Sequence, residues 1–185
     1  MKVLVLGSGA REHAMCWSLA NSPLITRLFC APGNPGIEEE AECIDLNINN
    51  NNDIISFALK EKVDLVIPGP EIPLVNGIID DLKKVNIKAF GHSKEAAKLE
   101  GSKNFTKEIC KIAKIPTAKY EVFTDQNEAV NYLNNTDVPV VIKADGLAAG
   151  KGVVIAQNKD EAVLAIENSF KGVFGDAGKT VLIEE

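Results

Sequence analysis

Val3-Leu4-Val5-Leu6 carries no polar residue on either face and runs straight into Gly7-Ser8-Gly9. A strand with apolar side chains on both faces has to be covered on both, which is the condition of a parallel sheet flanked by helices. The pattern recurs through the first hundred residues. Strands are predicted at 2–6, 28–30, 63–67 and 88–90, alternating with helices at 11–20, 53–61, 73–84 and 94–99. Asp53 and Ser93 are placed as N-caps, and Pro73 opens its helix. Residues 1–100 thus read as a doubly wound α/β domain with a parallel sheet.

The texture changes after Gly101. A long amphipathic helix at 102–114 ends before Pro116, followed by strand 120–123, helix 127–134, strand 138–144, a glycine loop, strand 153–156, helix 160–170 and strand 180–184. Residues 101–185 therefore read as a small α+β unit. The chain stops just after the apolar run Val181-Leu182-Ile183, which is expected to be a cut through a domain. On that reading the last strand lacks partners and is an aggregation risk.

Composition narrows the class. With 45% apolar and 25% charged residues the chain is of ordinary globular type, and a net charge of −6 without a basic stripe argues against a nucleic-acid partner. Its four cysteines include no Cys-x-x-Cys pair, and His13 and His92 are scattered, so a zinc site is not expected; Cys16 and Cys30 read as buried reduced thiols. The first apolar run is too short for a signal peptide and no segment has the length of a membrane span, giving a cytoplasmic reading. The asparagines between 47 and 52 read as a polar loop tip.

Two glycine loops carry the chemistry. In Lys143-Ala144-Asp145-Gly146-Leu147-Ala148-Ala149-Gly150-Lys151-Gly152, glycines allow backbone N–H groups to turn onto a phosphate and two lysines supply charge. A P-loop is excluded by spacing: three residues separate Gly146 from Gly150, Gly152 stands where a hydroxyl is required, and a strand follows instead of a helix. By itself the loop fits a lid over nucleotide phosphates and a hairpin with solvated lysines equally.

The other loop, Gly7-Ser8-Gly9-Ala10-Arg11-Glu12, follows a strand and opens a helix as a dinucleotide fingerprint does. Glu12 replaces the third glycine, is expected to disturb helix–strand packing and to repel a pyrophosphate, and no acid closes the second strand, so a dehydrogenase is disfavoured. The helix N-terminus remains a seat for one phosphate. Loops 31–36 and 68–75 also leave the carboxyl ends of strands, and Glu71 fits either an acceptor for sugar hydroxyls or a solvated acid at a helix start.

Taken in order, Gly7-Ser8-Gly9-Ala10-Arg11-Glu12-His13-Ala14, Ala31-Pro32-Gly33-Asn34, Gly69-Pro70-Glu71-Ile72-Pro73-Leu74-Val75 and Gly101-Ser102-Lys103-Asn104-Phe105-Thr106-Lys107 resemble the glycinamide ribonucleotide synthetase family of the ATP-grasp superfamily. Ile142-Lys143-Ala144-Asp145-Gly146, Phe174-Gly175-Asp176-Ala177-Gly178 and Ile183-Glu184-Glu185 extend the likeness over the whole chain. The resemblance implies a pre-ATP-grasp domain at 1–100 and the start of an ATP-grasp domain, with linking helix and lid subdomain, at 101–185. It implies that Lys103 and Lys143 hold ATP phosphates, with Asp145, Gly146, Gly150, Lys151 and Gly152 from the lid loop and Glu184 and Glu185 from the hinge strand. Gly9, Arg11, Gly33, Asn34, Gly69 and Glu71 are implied to bind phosphoribosylamine.

The implied reaction joins glycine to 5-phosphoribosylamine through glycyl phosphate, consuming ATP and releasing ADP and phosphate, in purine biosynthesis. Its partners are these small molecules, with neither nucleic acid nor membrane. The magnesium (or manganese) ligands are expected beyond residue 185, so that this chain alone is expected to be inactive. Another ATP-grasp carboxylate–amine ligase and a non-catalytic nucleotide-binding module are the competing readings.

Overall fold

The computed structural model describes residues 1–148 and 151–185, and the chain divides into two compact units, Met1–Ala97 and Lys98–Glu185. The first contains β1 (Lys2–Gly7), α1 (Ala10–Ala20), β2 (Arg27–Pro32), β3 (Glu42–Cys43), α2 (Asn51–Glu61), β4 (Leu65–Pro68), α3 (Glu71–Val75), α4 (Ile78–Lys84) and β5 (Lys88–Ala89). Its sheet has the order β3-β2-β1-β4-β5, every pairing parallel. The doubly wound sheet read from the sequence is the observed one. Alternation along β1 sends Leu4 and Leu6 to one face, against Phe29, Ile54, Ala58, Ile78 and Leu82, and Val3 and Val5 to the other, against Cys16, Leu28, Cys30 and Ile37. Cys16 and Cys30 are free, buried thiols.

Local departures have local causes. The helix expected at 73–84 is two helices, α3 and α4, because Gly77 takes φ +89°, a left-handed conformation that interrupts the helical ladder. Asp53 is not the cap of α2. That role falls to Asn50, whose side chain accepts from Asn52 N, leaving Asp53 in the first turn. The asparagine run is more than a loop tip: Asn51 donates to Asp81 Oδ2 at 2.8 Å and to the Asn76 carbonyl at 3.2 Å, tying α2 to the α3–α4 corner. Ser93 does cap the helix α5 (Lys94–Gly101), accepting from Ala96 N at 3.3 Å.

The second unit is built from α6 (Lys103–Ala113), β6 (Tyr120–Phe123), α7 (Gln126–Leu133), β7 (Val140–Ala144), β8 (Val153–Ala156), α8 (Lys159–Phe170) and β9 (Val181–Glu184). Its antiparallel sheet runs β6-β9-β7-β8, with α7 and α8 over the face formed by Val140, Ile142, Val181 and Ile183. The expectation that the last apolar run lacks partners is wrong. β9 lies inside the sheet, paired with β6 on one side and β7 on the other, and all four of its residues are buried. Strand β7 starts at Val140 and not at 138, since Pro139 has no N–H to give a ladder. No helix among the described residues is long and apolar enough to cross a membrane.

Candidate functional site

In the first unit, β1, β2 and β4 end side by side: Gly7 pairs with Pro32 and Leu6 with Pro68. The three loops singled out in the sequence therefore leave one edge of the sheet together. Their mutual fit explains most of their unusual residues. Gly9 is the N-cap of α1, and its N–H donates to Glu12 Oε2 at 2.7 Å. Glu12 is only 6% exposed, and its carboxylate occupies the space above Gly7 and Gly69: a Cβ on Gly69 would lie 2.1 Å from Glu12 Oε1. The expectation that Glu12 disturbs the packing is thus corrected. It fills the hollow left by two glycines lacking side chains. It also takes up the Gly9 N–H, at the helix N-terminus read as a seat for one phosphate.

Gly33 has φ +75°, and a Cβ there would meet Cys43 Sγ at 2.2 Å. Asn34 accepts from the N–H groups of Gly36 (2.8 Å) and Ile37 (3.0 Å) and donates to the Ser8 carbonyl (2.8 Å), so it both forms its own turn and stitches it to the first loop. Arg11 reaches across to the third loop, donating to the Gly69 carbonyl at 2.7 Å and pairing with Glu71 at 3.3 Å. Arg11 and Glu71 keep 59% and 39% of their side chains exposed, so their charges remain open to a ligand. Glu71 is the first residue of α3, in keeping with either use foreseen for it.

In the second unit the sheet face opposite α7 and α8 carries Val141, Lys143, Leu182 and Glu184. Val141 pairs with Glu184 and Lys143 with Leu182 across β7 and β9, so Lys143 and Glu184 are diagonal neighbours on that face. Lys143 Nζ donates to Glu184 Oε2 at 2.7 Å. Helix α6 brings Lys103 and Lys107 to the same place. Lys103 Nζ donates to the carbonyls of Ala144 (2.9 Å) and Gly146 (2.8 Å), fixing the end of β7. Burial pulls the Lys103 ammonium below the ordinary lysine range, the Asp145 carboxylate partly opposing this.

The result is a cavity of about 180 Å³ whose lining includes Lys103, Lys107, Lys143, Glu184, Thr106 and Thr117. Three ammonium groups face one carboxylate, an excess of positive charge suited to a polyphosphate.

The other residues assigned to this site are placed differently. Asp145 accepts from Ser102 Oγ (3.0 Å) and Asn104 N (3.1 Å), anchoring the start of α6. Gly146 has φ +121° and presents its carbonyl to Lys103. Gly152 is buried, and a Cβ there would lie 2.8 Å from Ala148 Cβ. Lys151 and Glu185 are exposed, Glu185 pairing with Lys119 at 2.7 Å, and neither lines the cavity. Gly150 lies outside the described residues. Lys107 was missed by sequence reasoning, although Lys103, Lys107 and Cys110 follow the i, i+4, i+7 spacing of one helix face.

This order, a parallel-sheet unit followed by a small antiparallel sheet, is found in other solved proteins. The biotin carboxylase domain of Hydrogenobacter thermophilus 2-oxoglutarate carboxylase, solved with MgADP, shares it at a TM-score of 0.77 and 23% identity over 99% of this chain and 43% of that one. At that identity the likeness is one of fold. The chain belongs to the phosphoribosylglycinamide synthetase family: the family's N domain matches residues 1–100 and its ATP-grasp (A) domain residues 101–185.

A phosphoribosylamine–glycine ligase from Mesorhizobium japonicum is 55% identical over 185 residues, and one from Escherichia coli K12 is 47% identical over 188 residues. The solved phosphoribosylamine–glycine ligase of Thermotoga maritima superposes with a TM-score of 0.74 at 30% identity, over 100% of this chain and 44% of that one. All of this chain is covered in the two sequence matches, and it spans 44% of the length of these curated relatives.

Proposed function

We propose that this chain supplies the amine-substrate crevice and the phosphate-holding face of a phosphoribosylamine–glycine ligase of purine biosynthesis. In that reaction a glycine carboxylate oxygen attacks the γ-phosphorus of ATP and ADP leaves. The amine of 5-phosphoribosylamine then attacks the carbonyl carbon of glycyl phosphate, forming the amide and releasing phosphate. The observation that carries the reading is the convergence of Lys103, Lys107 and Lys143 on one small cavity with a single carboxylate. Phosphoryl transfer depends mainly on positioning and charge neutralisation, which lysines supply without a side-chain nucleophile. The 45–55% identity to several ligases of this name supports the same reading.

Under this reading residues 1–100 are the pre-ATP-grasp domain and 101–185 begin the ATP-grasp domain. Arg11 and Glu71 meet phosphoribosylamine, while Gly9, Gly33, Asn34 and Gly69 set the loops that hold it. Lys103 and Lys143 contact ATP phosphates, and the backbone around Glu184 and Glu185 borders the adenine. Magnesium is proposed to accompany ATP, but the carboxylates beside the cavity do not fit it. Asp145 is occupied by α6 and Glu184 by two lysines.

The test uses a ligase of the full length of its relatives. Lys143→Ala should weaken MgADP binding roughly tenfold or more, the value of one charge-assisted contact, and lower glycine-dependent phosphate release with it. Calorimetry showing unchanged MgADP affinity would remove Lys143 from the site.

A further inference from the structure

We propose that Lys107 is a positioning residue for the nucleotide: it is the resident counter-ion of Glu184, and it lets Lys143 leave Glu184 for a phosphate oxygen. This rests on the assignment of Lys143 to ATP. Lys107 and Glu184 are the two buried charges of the cavity, with side chains 9% and 7% exposed. Lys143 is more open at 26%.

An ammonium group has three N–H donors. Lys107 donates to two acceptors, Thr117 Oγ1 at 2.8 Å and the Ala118 carbonyl at 3.0 Å, and its ammonium is ion-paired with Glu184 Oε2 at 3.3 Å. The Tyr120 ring lies under the same ammonium, 5.1 Å from its centroid. Lys107 is therefore held in place by two protein acceptors besides Glu184, and its charge serves the cavity from that fixed position. Among the described residues Lys143 has one partner, the same Glu184 Oε2, at 2.7 Å.

The arrangement makes Lys143 exchangeable. A buried carboxylate with a single cationic partner resists losing it, because the charge left behind is uncompensated in a poorly solvated place. With Lys107 fixed beside it, Glu184 keeps a counter-charge when Lys143 turns to the nucleotide. Without Lys107, Glu184 and Lys143 become an exclusive pair, and a phosphate has to compete with the carboxylate for the lysine. A purely structural role for Lys107 predicts lower stability but no particular link to Glu184. The positioning role predicts that removing the carboxylate as well sets Lys143 free again.

The experiment is calorimetric titration with MgADP of the full-length ligase as wild type, Lys143→Ala, Lys107→Met, Glu184→Gln and Lys107→Met with Glu184→Gln. Lys107→Met is expected to weaken binding roughly tenfold, and the double variant to recover most of that loss, a non-additivity that only coupled groups produce. Wild-type affinity in Lys107→Met, or a double variant as weak as Lys107→Met, overturns the proposal.

Circular dichroism establishes that each variant is folded. If Lys107→Met is not, Glu184→Gln alone decides. It should tighten MgADP binding by releasing Lys143, and unchanged or weaker binding overturns the proposal. Loss of binding in Lys143→Ala together with normal binding in Lys107→Met rejects the role of Lys107 alone. A wild-type ligase that does not bind MgADP, or an unaffected Lys143→Ala, rejects the ATP assignment and this inference with it.

Discussion

Gly69→Ala is the substitution that most directly probes how the first unit holds its loops. The new Cβ would fall 2.1 Å from Glu12 Oε1 and 2.5 Å from Glu12 Cδ, so Glu12 has to move. Moving it breaks the 2.7 Å bond from the Gly9 N–H, a hydrogen bond to a charged group worth about 1.5–3 kcal/mol. Residual crowding between the β1 and β4 loops adds about 1 kcal/mol, the lower end of overpacking costs. The expected loss is about 2.5–4 kcal/mol. Glu12→Ala should cost about 2 kcal/mol through the same hydrogen bond.

The double variant has a different expectation. With the carboxylate gone, the methyl introduced by Gly69→Ala would sit in the space Glu12 vacated, so the pair should be no less stable than Glu12→Ala alone. That is a coupling equal to the whole Gly69→Ala loss, about 2.5–4 kcal/mol, in the double-mutant cycle. The chain has a single tryptophan, Trp17 on α1, which reports on this unit in urea unfolding. Strictly additive single effects, or a Gly69→Ala variant within about 0.5 kcal/mol of wild type, would refute the placement of the carboxylate over Gly69.

Glu71→Gln keeps the shape of the side chain and removes its charge, so it should raise the Michaelis constant for phosphoribosylamine and leave that for ATP unchanged; equal effects on both would make Glu71 a fold residue only. Lys103 predicts a pH dependence. Its folded value lies below the ordinary 10.5 because burial disfavours the charged form, so the stability cost of burying the cation is fully present at low pH and is relieved as pH rises through that window. Nucleotide phosphates favour the protonated form, so MgADP binding should take up a proton and weaken as pH rises from the lowered value toward 10.5. Calorimetry in buffers of different ionisation enthalpy reads that proton, and its absence in the wild type would reject a phosphate contact for Lys103.

Sequence pattern revealed elements where periodicity and length are decisive. Strands at 120–123 and 153–156 lie where the apolar runs place them, and the apolar residues of β1 divide between the two faces of a parallel sheet. It did not reveal what depends on a single backbone angle or on distant pairing. The apolar pattern from 73 to 84 is continuous, yet Gly77 at φ +89° divides it. Strand β3 spans only Glu42 and Cys43, too short to give a run. The interior position of β9 is decided by β6 and β7, whose paired residues lie 37–64 positions away in the chain, from Ala144 opposite Val181 to Tyr120 opposite Glu184. Nothing local to Val181-Leu182-Ile183 distinguishes an inner strand from an orphan.

At the candidate sites the same limit takes an electrostatic form. A glycine motif makes Glu12 look like a defect, because motif spacing contains no information about Gly69, which is 57 positions away and provides the hollow for the carboxylate. Lys107 looks like one more lysine on a solvated helix, because its counter-charge, Glu184, arrives from the last strand. In both cases a buried charge is stable only because a distant segment completes its shell. Removing either partner should therefore be felt at the other: at Gly9 and Gly69 through Glu12, and at Lys143 through Glu184.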